Sequence, residues 1–375
     1  EESNAVVPSR AVGRARPAGD PDLVKQAVKM LSEASNPMVF AGGGVWWSQA
    51  YDELRLLVER MGIPFYTSPM SRGLLPDDHE MSFPAARSGA FRGADVVLVV
   101  GTRMNWMMTF GERIAAESKI IQIDIHGAEL GHNRSVDVGI EGDAKAVLQQ
   151  FVDEADRIGF ESKANSKWIE KLREADLSRR ERVAPLENSD QQPIHPLRLC
   201  KELREVMDRD SILAVDGNEI LHFGRQSMPT YMPGHRLNSG PSGCMGVGLP
   251  YALGAKIAKP DKQVVALHGD GSLGMNIQDF DTAVRHNLPV VIVVSNNEGW
   301  TARVEGIRKP GRELGFTRFD KVAEALGGHG ELVEDPKDLK PAFERAFASG
   351  VPAIVNVRTD PTARALSRFV GSKME

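Results

Sequence analysis

Apolar residues run almost without interruption at 262–268 (KQVVALH) and again at 288–295 (LPVVIVVS). Between them lie a glycine loop at 269–274 and apolar positions at helical spacing over 275–287. Continuous runs rich in Val and Ile, bounded by turn residues, predict strands buried on both faces, and a helix between two such strands predicts a βαβ unit. The same alternation occurs upstream: a helix opening at the Asp20-Pro21-Asp22 cap and running to Ala34, strands at 37–41 (PMVFA), 64–67, 95–100 (DVVLVV) and 119–125 (KIIQIDI), and helices at 49–61 and 144–155. Farther along, the pattern predicts a helix from 196 to 207, strands at 211–215 (SILAV) and 352–357 (PAIVNV), and a small-residue helix at 251–258. Strands and helices alternating at these lengths predict an α/β fold built as two doubly wound parallel-sheet domains.

Residues 156–195 break this alternation. They are heavily charged, and 185–190 (PLENSD) is polar, contains Pro and has no apolar periodicity, which predicts an interdomain connection. The expected division is a linker at 1–20, a first domain at 21–160, a connection at 161–195, and a second domain with a C-terminal tail at 196–375. A chain of 375 residues with 41% hydrophobic content can fill two cores of ordinary size. The net charge of −5, with both signs interspersed, points to neither nucleic acid nor a membrane surface, and no apolar segment reaches spanning length. Cys200 and Cys244 form no CxxC pair and cannot make a disulfide framework, which leads to the expectation of a reducing cytoplasm. The chain starts EESNAVVPSR, without Met, and more chain is expected to precede it.

In doubly wound sheets ligands bind at the carboxyl ends of strands. Asp270 follows the run at 262–268, and Asn296-Asn297 closes the run at 288–295. Two oxygen ligands from adjacent strand ends, with N–H groups of Gly271 and Ser272 beside them, suit Mg²⁺ holding a diphosphate. Either half alone reads as an ordinary turn; the pair flanking a complete βαβ unit favours a site. Asp216-Gly217-Asn218-Glu219 lies at another strand end. It reads either as backbone N–H groups for a phosphate or as a turn capped by Asn218. In the first domain the glycine run 42–44 is not GxGxxG, and no GxxxxGK[ST] occurs, so it reads as a tight turn. Arg103 and Asp124 follow neighbouring strands, where they suit a phosphate and a ribose hydroxyl, or a structural ion pair.

The GDG at 269–271 followed by the Asn-Asn at 296–297 resembles the thiamine diphosphate motif of the acetolactate synthase and decarboxylase superfamily. That resemblance implies that Asp270, Asn297 and the backbone carbonyl of Gly299 coordinate Mg²⁺. It also implies that Gly271 and Ser272 contact the diphosphate, as do Gly217, Asn218 and Glu219, the last three mainly through the backbone. The segments GTRMNWMMTFG (101–111), IIQIDIHGAELGHN (120–133) and IEGDAKAVL (140–148) resemble the central domain of 2-hydroxyacyl-CoA lyases and oxalyl-CoA decarboxylases. Those relatives hold ADP there and acetolactate synthases hold FAD, so Arg103 and Asp124 are carried over as nucleotide contacts. Arg225 is expected at the nucleotide end of an acyl-CoA.

In GCMGVGLP (243–250) a Met stands among glycines. By residue type it is a core gap-filler; by resemblance the Gly243 carbonyl accepts from the aminopyrimidine and Met245 bends the cofactor into its reactive V, with Met275 packing nearby. Gly243 and Met245 are therefore the catalytic expectations. The implied reaction is cleavage of a 2-hydroxyacyl-CoA to a carbonyl compound and formyl-CoA. The alternatives are an acetolactate synthase-like carboligase with FAD, an oxalyl-CoA decarboxylase, which the aromatic at Trp300 disfavours, or a scaffold subunit, which has no need of a metal site. The resemblance also implies a homodimer or homotetramer with active sites between protomers, and a pyrimidine-binding N-terminal domain with a catalytic Glu. That domain is missing from this chain, which is expected to be the carboxyl-terminal part of a longer polypeptide.

Overall fold

The computed structural model describes residues 13, 15–162, 166–307 and 309–365. Five strands, β1 (Pro37–Ala41), β2 (Phe65–Thr67), β3 (Val96–Val100), β4 (Lys119–Asp124) and β5 (Val138–Glu141), make one sheet in the order 2-1-3-4-5. Six more make a second sheet in the order 10-11-9-8-6-7. They are β6 (Ile212–Asp216), β7 (Arg236–Leu237), β8 (Val264–Gly269), β9 (Val291–Asn296), β10 (His329–Val333) and β11 (Ala353–Arg358). Every pairing is parallel. The α/β class and the two doubly wound sheets follow the apolar pattern because the central strands are buried on both faces. Val39 and Leu98 face one core while Phe40 and Val97 face the other. Likewise Val265 and Val293 lie opposite Ala266 and Val294 in the second sheet.

Strand order reverses between β1 and β3 in the first sheet and between β6 and β8 in the second, so each sheet opens a crevice at those carboxyl ends. The first holds Gly42–Gly44 and Gly101–Arg103; the second holds Gly217 and Asp270.

Four local expectations change. The stretch at 166–187, expected as part of a charged connection at 161–195, is a 22-residue helix, Ser166–Glu187. It buries only Trp168, Leu172, Asp176 and Val183, a stripe too narrow to stand out among so many charges. Trp168 and Leu172 enter a core of the first sheet and Val183 a core of the second. The glycine loop and single helix expected over 269–287 are instead two short helices, Asp270–Asn276 and Asp279–Arg285. The first starts inside the GDG because Gly269 is extended and caps it. The glycine run at 42–44 enters a helical turn, Gly43–Trp47. A Cβ on Gly42 would stand 2.2 Å from Thr102 Cβ and one on Gly44 2.7 Å from Gly101 Cα, so these glycines let two strand ends touch. Part of the 1–20 linker lies outside the described residues. Of the rest, Arg16 pairs with Asp143 at 3.0 Å and the Gly19 N–H donates to Gln150 Oε1 at 2.8 Å, so this stretch is docked on the first domain.

The two units meet through specific bonds. Asp77 accepts from Arg72 and from the Thr230 N–H, Asn238 Nδ2 donates to Pro69 O at 3.1 Å, and Trp106 Nε1 donates to Pro241 O at 3.1 Å. No described helix is long and apolar enough to cross a membrane.

Candidate cofactor site

Asp270 is 4% exposed at the tip of β8. Its Oδ1 accepts from the Gly271 N–H at 2.9 Å and its Oδ2 from the Gly299 N–H at 2.8 Å, which ties the β8 tip to the loop after β9. Burial pushes its carboxyl up to about 6, against the lowering effect of those two N–H donors. The Asn297 amide oxygen stands 3.2 Å from Asp270 Oδ1 and 2.7 Å from the Gly299 carbonyl oxygen. With the amide turned over, its nitrogen would donate to both. With oxygen inward, three oxygens converge, an arrangement that repels unless a cation lies among them. Adjacent oxygens of an octahedron with bonds of about 2.1 Å are about 3 Å apart, so both of these separations suit neighbouring ligands of one Mg²⁺. Among the described residues no group of three His, Cys, Asp or Glu could hold a metal, and this trio differs because an amide and a backbone carbonyl supply two of its oxygens.

The loop carrying Asn297 and Gly299 is braced from within. Arg312, 5% exposed, donates through Nε to Thr301 O at 2.7 Å and through Nη2 to Asn297 O and Pro361 O, each at 3.4 Å. A Cβ on Gly299 would lie 2.6 Å from that guanidinium. Sequence reasoning missed Arg312, which lies in a stretch with no periodic pattern or motif.

Across the crevice, Gly217 has φ +122°, and a Cβ there would come 3.1 Å from the Gly269 N and 3.4 Å from Ser272 Oγ. Only glycine keeps this approach open. Asn218 makes no side-chain cap, which removes the capping alternative. The Glu219 carboxylate accepts from the Ala302 N–H at 3.4 Å and the Ala365 N–H at 3.3 Å. The Ser272 hydroxyl is engaged with His268 Nδ1 and Gly269 O, both at 3.0 Å. His268, fully buried at the strand end, was another residue missed; a His closing an apolar run was its signal.

Gly217, Glu219, Met245, Asp270, Ser272 and Asn297 line one open cleft. Met245 is 38% and Met275 55% exposed, and Met275 Cβ lies 3.2 Å from where a Cβ on Gly246 would be. Gly243, with φ +66°, lies beyond the cleft's lining and faces the indole of Trp106.

Arg103 and Asp124 stand together at the ends of β3 and β4. Arg103 Nε pairs with Glu129 at 2.9 Å, and burial raises the Asp124 carboxyl while its Oδ1 accepts from His126 N–H at 3.0 Å. Arg225 is not the solvated arginine a helix surface suggests. Burial, then the neighbouring charge of Arg72, lowers it to about 10, and Arg87, over the rings of Phe40 and Phe91, is lowered to about 10 by burial and by Arg113, Arg225 and Arg72. Arg87 Nε and Arg236 Nη2 are buried with no partner in the protein. Asp77 is the carboxylate bonded to this basic group through Arg72.

Residues 24–151 match the thiamine pyrophosphate enzyme central domain, and residues 221–357 match the thiamine pyrophosphate enzyme C-terminal TPP binding domain. The chain is 40% identical over 357 residues to an acetolactate synthase large subunit from Mycobacterium tuberculosis, covering 92% of this chain and 63% of that protein. It is 37% identical over 370 residues to a 2-hydroxyacyl-CoA lyase from Arabidopsis thaliana, with 92% and 63% covered. With an oxalyl-CoA decarboxylase from Escherichia coli it shares 33% identity over 352 residues, with 92% and 62% covered. It thus spans under two thirds of the length of these relatives. Two matched domains, each carrying its crevice at the point where strand order reverses, place this chain in the thiamine pyrophosphate enzyme family.

Proposed function

We propose that the chain is the cofactor-holding part of a thiamine diphosphate- and Mg²⁺-dependent carbon-carbon lyase that cleaves a 2-hydroxyacyl-CoA to an aldehyde or ketone and formyl-CoA. The observation that carries the cofactor part is the convergence of Asp270 Oδ1, Asn297 Oδ1 and Gly299 O opposite the Gly217 turn. In this reading those three oxygens hold Mg²⁺, while N–H groups of Gly217, Asn218, Glu219, Gly271 and Ser272 receive the diphosphate. Bound thiamine diphosphate supplies the electron sink for breaking a C–C bond. Among this chain's own residues, the Gly243 carbonyl would accept a hydrogen bond from the pyrimidine amino group. Met245 and Met275 give the ring an apolar support, and Arg312 keeps the metal loop in place. The protein's contribution is orientation and fixed dipoles.

The CoA part draws support from the basic group around Arg225, whose guanidinium donors outnumber their carboxylate partners in a buried place. A phosphate would offset that charge. ADP is proposed at Arg103 and Asp124. The protein is proposed to work in the cytoplasm as a homodimer or homotetramer with active sites between protomers, completed by a pyrimidine-binding domain. A second reading, an acetolactate synthase-like carboligase with FAD in the same crevice, is favoured by the 40% identity to the mycobacterial acetolactate synthase.

Mass spectrometry of released cofactors, together with a formyl-CoA assay on a panel of 2-hydroxyacyl-CoA thioesters, separates the two. Thiamine diphosphate with ADP and formation of formyl-CoA is the expected result. Flavin absorbance with condensation of pyruvate would replace the lyase reading by the carboligase.

A further inference from the structure

The loop at 238–246, which carries Gly243 and Met245, is held largely by the other domain. Asn238, 6% exposed, donates to Pro69 O and accepts from the Gly240 N–H at 2.8 Å. Gly240, at φ +57°, has Met70 Sδ 3.1 Å from its Cβ position. Trp106 Nε1 then donates to Pro241 O at 3.1 Å, and Trp106 Cζ2 lies 4.0 Å from the Cβ position of Gly243. The segment that presents this indole is itself strained. Thr109 and Phe110 are consecutive non-glycine residues at φ 52°, a conformation costly for a β-branched side chain and kept only where the surroundings impose it. Asn105 helps impose it, its Oδ1 accepting from the Met107 N–H and its backbone O from the Phe110 N–H.

We infer that Trp106 is a positioning residue: from the central domain it sets the Pro241–Gly243 backbone, and through it the carbonyl that meets the cofactor's aminopyrimidine. The inference rests on the thiamine diphosphate reading above. It makes the central domain a structural part of the cofactor site even though it contributes no atom to the diphosphate or metal.

The test uses the full chain titrated with thiamine diphosphate and Mg²⁺ by calorimetry. Trp106→Phe keeps the ring and removes the donor, and is expected to weaken binding about three- to tenfold, the range for one net hydrogen bond, while the melting temperature stays near that of the unsubstituted protein. Trp106→Ala is expected to weaken it further. Near-UV circular dichroism of the bound thiamine is expected to change in both, because ring placement and not only occupancy is altered. Trp47→Phe, at a side chain 78% exposed that makes none of the bonds holding the loop, serves as the control expected to be unaltered. Unchanged affinity and dichroism in Trp106→Phe and Trp106→Ala overturns the inference while leaving the cofactor reading intact. Absence of binding by the unsubstituted protein when it carries its pyrimidine-binding domain overturns both.

Discussion

At the residue scale, the chain's glycines and charges show how close approach and burial are made tolerable. Gly42→Ala forces a Cβ to 2.2 Å from Thr102 Cβ and 2.4 Å from Gly101 O, neither of which is the far end of a flexible side chain. Thermal unfolding is expected to show a loss of about 2 kcal/mol, whereas Gly89→Ala, at an open position in a helix, should cost nothing or stabilise. His222 behaves differently from a surface histidine: burial, then the charge of Arg225, lowers it to about 4. The unfolded chain binds that proton below the ordinary 6.5 while the folded chain does not. The stabilising contribution is therefore full above about 6.5 and falls as pH drops from there toward 4. Melting temperatures of His222→Gln are expected to fall less steeply across that window than those of the unsubstituted protein; parallel curves would refute the assignment. The gathering of Asp270, Asn297, Gly217 and Ser272 into one cleft was legible because their residue types occur at strand ends, which a parallel sheet brings to one edge. Arg312 was not, because a brace made of hydrogen bonds to four backbone carbonyls leaves no local pattern, and neither was the inward turn of the Ser272 hydroxyl.

At the element scale, uninterrupted apolar runs were the readable feature. β1 spans the predicted 37–41, and β4, β8 and β9 lie within a residue or a few of their expected ends, since a strand buried on both faces has no polar positions to blur it. Short or half-exposed elements were not readable: β7 has two residues, and four of the five residues of β10 are only partly buried. The helix Ser166–Glu187 was hidden for the opposite reason, since most of its surface is solvated. Its hold on the first domain is concentrated in Trp168, 3% exposed, whose Nε1 donates to Pro37 O at 3.1 Å. Trp168→Ala is expected to cost about 3–5 kcal/mol in denaturant unfolding. Leu177→Ala, 53% exposed on the same helix, is expected to stay within about 0.5 kcal/mol. Equal effects would mean that the helix is not anchored as described.

For the whole molecule, the two crevices were anticipated from βαβ order, but their connection was not. The bonds from Pro69, Asp77 and Trp106 to the second domain join residues more than 130 positions apart, and no periodicity records such pairings. The arginines gathered near the domain junction show the same limit, because Arg72, Arg87 and Arg225, partly buried, and Arg236, buried, look like ordinary surface charges until the fold gathers them. The account depends above all on the oxygen trio at the tips of β8 and the loop after β9. Calorimetric titration of the full chain with thiamine diphosphate, with and without Mg²⁺, for the unsubstituted protein and for Asp270→Asn, tests it most directly. The account predicts Mg²⁺-dependent binding that Asp270→Asn weakens by more than about 100-fold, beyond the loss expected for an outer-shell partner. Binding of equal strength in the two proteins, or binding indifferent to Mg²⁺, would contradict it.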